Sequence, residues 1–111
     1  SHPKVTNPSA GNPVPPTKES IEAGRMLFEQ NCVVCHGADG RGDGPAAADL
    51  DPQPTDFRLH TPLHTDAQFY QFIANGYPGS AMPAWSDELS EDDIWNLVNF
   101  LRAAFSEAPT E

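Results

Sequence analysis

At 111 residues the chain has room for a single domain. Apolar residues make up 38% of it, short of the ~45–50% of an average soluble protein, and so thin a core suits a chain that wraps a large apolar cofactor. Sixteen acids against six bases give a formal charge of −10, which argues against nucleic acid, whose phosphates need Lys and Arg. No run approaches the ~18 apolar residues of a membrane span, and no signal peptide is recognisable.

Residues 1–16 contain five prolines, Pro3, Pro8, Pro13, Pro15 and Pro16, and almost no apolar side chains. They read as a flexible Pro-rich arm or linker, of the kind that ties a domain to a membrane anchor or a neighbouring domain before residue 1. A helix is expected from near Lys18 to about Asn31, with Thr17 or Ser20 as its cap. Ile21, Gly24, Leu27 and Phe28 fall at the spacings of one buried face. A glycine inside a helix costs about 1 kcal/mol against alanine, so Gly24 makes sense where another backbone approaches closely. Met26 lies off that face and reads as ordinary packing.

Directly after this helix comes Cys32-Val33-Val34-Cys35-His36. Two thiols three positions apart on one helical turn can each add to a vinyl group of one porphyrin, and the next imidazole then lies beneath the iron. Cys32 and Cys35 are thus read as thioether anchors of a covalent haem c and His36 as its axial nitrogen donor. A redox dithiol would call for a neighbouring βαβ pattern, which is missing. Structural zinc needs about four ligands in paired spacing, and only His60 and His64 offer a second pair. A disulfide between residues this close stabilises little. Thioether attachment takes place outside the cytoplasmic membrane, so a periplasmic or otherwise extracytoplasmic location is expected, with a leader or anchor already removed.

The next stretch, Gly37 to Pro45, holds four glycines. It is no phosphate loop, since no strand precedes it and no Lys-Ser/Thr follows; it is expected to curl past the proximal face of the porphyrin. A ligating histidine donates its second ring N–H to a fixed acceptor, and the Pro45 carbonyl is the candidate. Ala46 to Leu50 reads as a single helical turn, and Asp51 to Phe57 as a proline-stiffened loop. Arg58 is a candidate partner for the haem propionates, with a solvated surface arginine as the plainer alternative. His60 and His64 read as loop or surface residues, either one a sixth ligand only if Met82 is not.

Thr65-Asp66-Ala67-Gln68 matches a capping box opening a helix that Gly76 ends, with Phe69, Phe72 and Ile73 inward. Gly76 to Trp85 is then an irregular loop. Its Met82 carries a soft thioether suited to the distal side of a haem iron, while Tyr77 and Trp85 are expected to line the crevice. The last helix starts at Ser90 behind Glu91, Asp92 and Asp93. Ile94, Leu97, Val98, Leu101 and Phe105 form its inward stripe, flanked by Trp95 and Phe100; Ala108 onward is expected to fray.

From about Lys18 to Ala104 the chain resembles a class I cytochrome c of the small bacterial single-haem kind. The haem motif is the specific element. Gly24-Arg25-Met26-Leu27-Phe28 and Leu97-Val98-Asn99-Phe100-Leu101 resemble the family's first- and last-helix signatures. The resemblance implies an all-α cytochrome c fold at residues 17–106, with three main helices, short turns and long loops around one covalent haem, and a tail at 107–111. It also implies that Gly24 and Phe28 meet Leu97 and Phe100, that Pro45 is the proximal proline and that Met82, before Pro83, is the distal ligand. The expected function is electron transfer rather than catalysis, as a carrier or as an electron-transfer domain of a larger redox complex. A haem enzyme or gas sensor with a labile sixth ligand is the alternative. The chain departs from basic mitochondrial members in its acidity, which points instead to redox partner proteins with a basic docking surface.

Overall fold

The computed structural model describes residues 11–37, 40, 42–47, 64–76, 82 and 84–105. Four helices follow one another along them: α1 (Lys18–Asn31), α2 (Val33–His36), α3 (Asp66–Asn75) and α4 (Glu91–Phe105). There is no strand among the described residues, so the fold is all-α as expected, three main helices and one single-turn helix. None of these helices is long and apolar enough to cross a membrane.

Each main helix starts where a short polar side chain satisfies its orphan N–H groups. The Thr17 hydroxyl accepts from the Ser20 N–H at 3.1 Å. Thr65 accepts from the Gln68 N–H at 3.2 Å while the Gln68 side chain accepts from the Thr65 N–H at 2.7 Å, the reciprocal box the sequence indicates. At α4, Ser90 accepts from the Asp93 N–H at 3.1 Å and Asp93 accepts from the Ser90 N–H at 3.2 Å. Gly76, with φ +79°, ends α3.

The core is one cluster drawn from α1, α3 and α4, in which Phe28, Ile94, Leu97 and Val98 are fully buried. Each side chain so buried contributes on the order of 1.5–3 kcal/mol. The stripe expected on α4 is buried at every position, Ile94, Leu97, Val98, Leu101 and Phe105. On α1 the buried residues are Gly24 and Phe28, joined by Ser20, while Ile21 and Leu27 are half-buried. Met26 is not packed as expected: its off-face position leaves it 50% exposed.

The two long helices meet at Gly24. A Cβ there would overlap the Asn96 carbonyl oxygen and lie 2.8 Å from the Phe100 Cβ, so the absent side chain is what lets α1 rest on the α4 backbone. One turn on, the Phe28 ring meets Phe100 at 5.2 Å and Phe105 at 5.9 Å between centroids, tilted as aromatic quadrupoles prefer.

Residues 1–10 and 106–111 lie outside the described residues, but the end of the arm does not stand clear of the domain. Asn12 donates from Nδ2 to Asp66 at 2.9 Å and to Asn99 at 2.8 Å. Asn99 in turn donates to the Val14 carbonyl at 3.1 Å and the Ser20 hydroxyl at 2.9 Å, and Ser20 donates to Asn96 at 2.6 Å. Ser20, Asp66 and Asn99 are all buried. Buried polar groups need partners, and here the backbone at Val14 supplies one, which is why the proline-rich segment is fastened down from Asn12 onward.

Candidate functional site

The chemistry-bearing motif begins where α1 stops. The Cys32 N–H still donates to the Phe28 carbonyl at 2.8 Å, and the Cys32 carbonyl already accepts from the His36 N–H at 2.9 Å. Cys32 is therefore the last cap of α1 and the first of α2, and Cys32 to His36 fill a single turn rigidly continued from the core helix. Cys32 and Val33 are half-buried and pack on the central apolar cluster.

Gly37 turns the chain out of α2 with φ +78°, a left-handed conformation that favours glycine. The loop then folds back: the Gly40 N–H donates to the Gly37 carbonyl at 3.1 Å and the Gly42 N–H to the His36 carbonyl at 2.9 Å. Gly40 lies flat against the Phe105 ring at the end of α4, where a Cβ would come within 2.9 Å. These contacts bring Gly42 back to the turn that carries His36 and Gly40 to the end of α4.

His36 is half-buried. Its Nδ1 is buried and makes no hydrogen bond, although the residue has other interactions. The expected bond to the Pro45 carbonyl is thus not made. Pro45 is an exposed residue in the turn closed by the Ala47 N–H on the Gly44 carbonyl at 2.9 Å. Only Ala46 and Ala47 of the turn expected at Ala46 to Leu50 belong to the described residues, and Asp51 to Phe57, Arg58, His60 and Tyr77 lie outside them.

Met82 is half-buried and packs on the same cluster as Cys32 and Val33, and Trp85 does likewise. The chain following Met82 is held by α3: the Trp85 N–H donates to the Ile73 carbonyl at 3.0 Å and the Ser86 N–H to the Ala74 carbonyl at 3.2 Å. These bonds satisfy carbonyls in the last turn of the helix that have no partner within it. His64 lies just ahead of α3, its ring edge-on to Phe69 and Phe72, each at 5.5 Å.

Outside this region, Arg25 bridges Glu22 and Glu29 on the solvent face of α1. That hydrogen bonding holds the Glu22 carboxyl below its ordinary range. Partial burial, and then the Glu91 carboxylate, push the Tyr70 phenol above its ordinary range; its ring stacks on Trp95 at 4.2 Å.

The donor set suits a covalent haem. A thiol-bearing turn ending in an imidazole and a separate thioether abut one apolar cluster, which is the environment a porphyrin requires. Sequence reasoning offered Cys32, Cys35 and His36 through the motif and Met82 through its place in a proline- and glycine-rich loop. It missed Asn12, Ser20, Asp66, Asn99 and Arg102, whose polarity at buried positions becomes visible only when distant segments are brought together.

Comparison with known proteins agrees with the site. Residues 19–101 match the family described as cytochrome C oxidase, cbb3-type, subunit III. Cytochrome c6 of Cladophora glomerata is 35% identical over 83 residues, covering 75% of this chain and 87% of that protein. The cbb3-type cytochrome c oxidase subunit FixP of Bradyrhizobium sp. (strain ORS 278) is 33% identical over 90 residues, which are 79% of this chain and 29% of that protein. Among solved structures, a chain of the Kuenenia stuttgartiensis reducing HAO-like protein complex superposes with a TM-score of 0.77 at 33% identity, over 85% of this chain and 47% of that one. The chain thus spans most of one relative and less than half of the others. With the motif, the helix crossing and the family match in agreement, this chain belongs to the cytochrome c family, carries haem c, and serves electron transfer through it.

Proposed function

We propose that the haem of this protein is held by thioethers to Cys32 and Cys35 and ligated axially by His36 and Met82. The observation that supports this reading most is that Cys32, Val33 and Met82, separated by some fifty positions in the sequence, pack on one apolar cluster. When bound, the haem supplies an iron that exchanges one electron between its ferrous and ferric forms. The chain's part is to hold that iron in one coordination state. His36 is carried on a turn continuous with α1, and Met82 lies three residues ahead of backbone fixed to α3. With His36 and Met82 both on the iron, the bound group would offer no position to a substrate, and a thioether donor would raise its potential relative to a second nitrogen donor. Phe28, Phe69 and Trp85 keep the surroundings apolar, which is the protein's lever on potential and on water access.

The test is Met82→Ala in haem-loaded protein. Loss of the methionine–iron absorption band and a fall in reduction potential are expected, whereas an unchanged spectrum removes Met82 from the iron. Ready binding of carbon monoxide by the reduced parent at neutral pH would favour the enzyme or sensor reading instead.

The protein works outside the cytoplasm, as a carrier or as the electron-transfer domain of a larger assembly, and meets a partner with a basic face. The exposed acids Glu19, Glu22 and Glu29 on α1 and Asp87, Glu88, Glu91 and Asp92 around the start of α4 support the last point. Association with such a partner should slow steeply as salt rises; rates that ignore salt would remove charge as the steering force.

A further inference from the structure

The firmness with which a thioether is presented depends on what holds its loop, and in this molecule that support can be followed backward bond by bond. The Trp85 and Ser86 N–H groups, just beyond Met82, hang on the Ile73 and Ala74 carbonyls at the end of α3. The other end of α3 is fixed by Asp66, which is 3% exposed. Its Oδ1 accepts from Arg102 Nε at 3.0 Å and Nη2 at 2.9 Å, and its Oδ2 accepts from Asn12 at 2.9 Å. Arg102 Nη2 also donates to the His64 carbonyl at 2.6 Å, and the guanidinium lies over the Phe69 ring at 5.4 Å. One planar fork on α4 therefore grips α3 at positions 66 and 69 and the residue just ahead of it at 64, a geometry that lysine cannot reproduce. A helix is stiff over so short a length, so a shift at its start moves the carbonyls at its end.

We infer that Asp66 is a positioning residue for Met82, setting through its pair with Arg102 the placement of α3 on α4 and through the last carbonyls of α3 the chain that presents the thioether. The inference rests on the reading of Met82 as axial ligand. It differs from a merely structural role in what it weakens first. A buried pair that only stabilises the fold lowers ligation and folding together, while one that positions the loop loosens ligation ahead of folding.

The experiment is a denaturant titration of ferric, haem-loaded protein followed at two signals, the methionine–iron band and the helical circular dichroism. In Asp66→Asn the band should vanish well before the helices do. In plain buffer the equilibrium constant for Met82 detachment should rise about tenfold, a share of what breaking a buried pair costs, and the reduction potential should fall. Arg102→Lys keeps the charge but loses the fork; it should shift the same way by less, and it carries the test if Asp66→Asn does not fold. Leu97→Ala, a truncation of a fully buried α4 side chain in the central cluster, should lower both transitions in step. A gap between the two signals no wider in Asp66→Asn and Arg102→Lys than in the parent overturns the inference while leaving Met82 on the iron. A parent without the band, or a Met82→Ala variant that keeps it, overturns the ligand reading and the inference with it.

Discussion

At its first turn α1 is held by hydrogen bonds, Ser20 to Asn96 and Asn99, with Asn12 and the Val14 carbonyl completing the set. At its last turn it is held by rings and sulfur, Phe28 between Phe100 and Phe105 and then Cys32 and Val33 on the central cluster. The polar end is closed on itself: its buried groups find partners within the chain, and directional bonds fix the register of α1 on α4. The apolar end tolerates sliding far better, since dispersion has little direction, and it is there that Cys32 and the turn bearing His36 lie. Register is thus set at one end of the helix and chemistry performed at the other, with Gly24 between them as the point of closest approach.

The strongest way to break this contrast is to remove the covalent attachment. Cys32→Ser combined with Cys35→Ser should abolish the haem mass on the polypeptide. It should also cost more than about 5 kcal/mol, comparable with the whole stability of a small domain, as read by thermal unfolding. Retention of cooperative unfolding at the parent temperature would show that the apolar end needs no cofactor. Gly24→Val should cost about 3 kcal/mol by overpacking against Asn96 and Phe100, and a neutral result in urea unfolding would mean the helices can part there without penalty.

Next in size, Asn99→Ala leaves Ser20, Asn12 and the Val14 carbonyl short of partners. It should cost about 2 kcal/mol while barely moving the reduction potential, because the damage is confined to the polar end. A potential shift as large as that of Met82→Ala would erase the distinction between the ends. Arg25→Ala, on an exposed face, should leave the thermal midpoint almost unchanged. The smallest effect concerns Tyr70. Its folded-state ionisation lies above the ordinary range, so the stability it lends is fully present below pH ~10 and lost as pH rises through the folded value. Ultraviolet titration should show this late phenolate, and Glu91→Gln should move it partway back.

Features that depend on near neighbours were legible. Thr17, the Thr65–Gln68 box and Ser90 start helices through side chains that reach only three residues ahead. The period of Ile94, Leu97, Val98, Leu101 and Phe105 is written in consecutive turns, and the haem motif occupies one. Gly24 announced a close approach by its cost alone. What stayed hidden lies across long separations. Nothing near Asn99 in the chain marks it as the partner of Ser20, 79 positions away, and Asp66 reads as an ordinary first-turn acid until Arg102 arrives. Met26 was misjudged because a hydrophobic residue off the buried face carries no sign of whether a neighbour covers it. The Pro45 carbonyl was offered as the acceptor for His36, whereas the buried Nδ1 makes no hydrogen bond in this structure.

The fastening at Asn12 has a consequence for mechanics. Anything joined upstream is handed to the domain beside the first turn of α1, one helix length, about 21 Å, from the turn that carries Cys32 and His36. A tug on such a leash would fall first on Asn99 and Asp66, so the turn bearing Cys32 and His36 would be spared, while the share reaching Asp66 would run along α3 toward Met82.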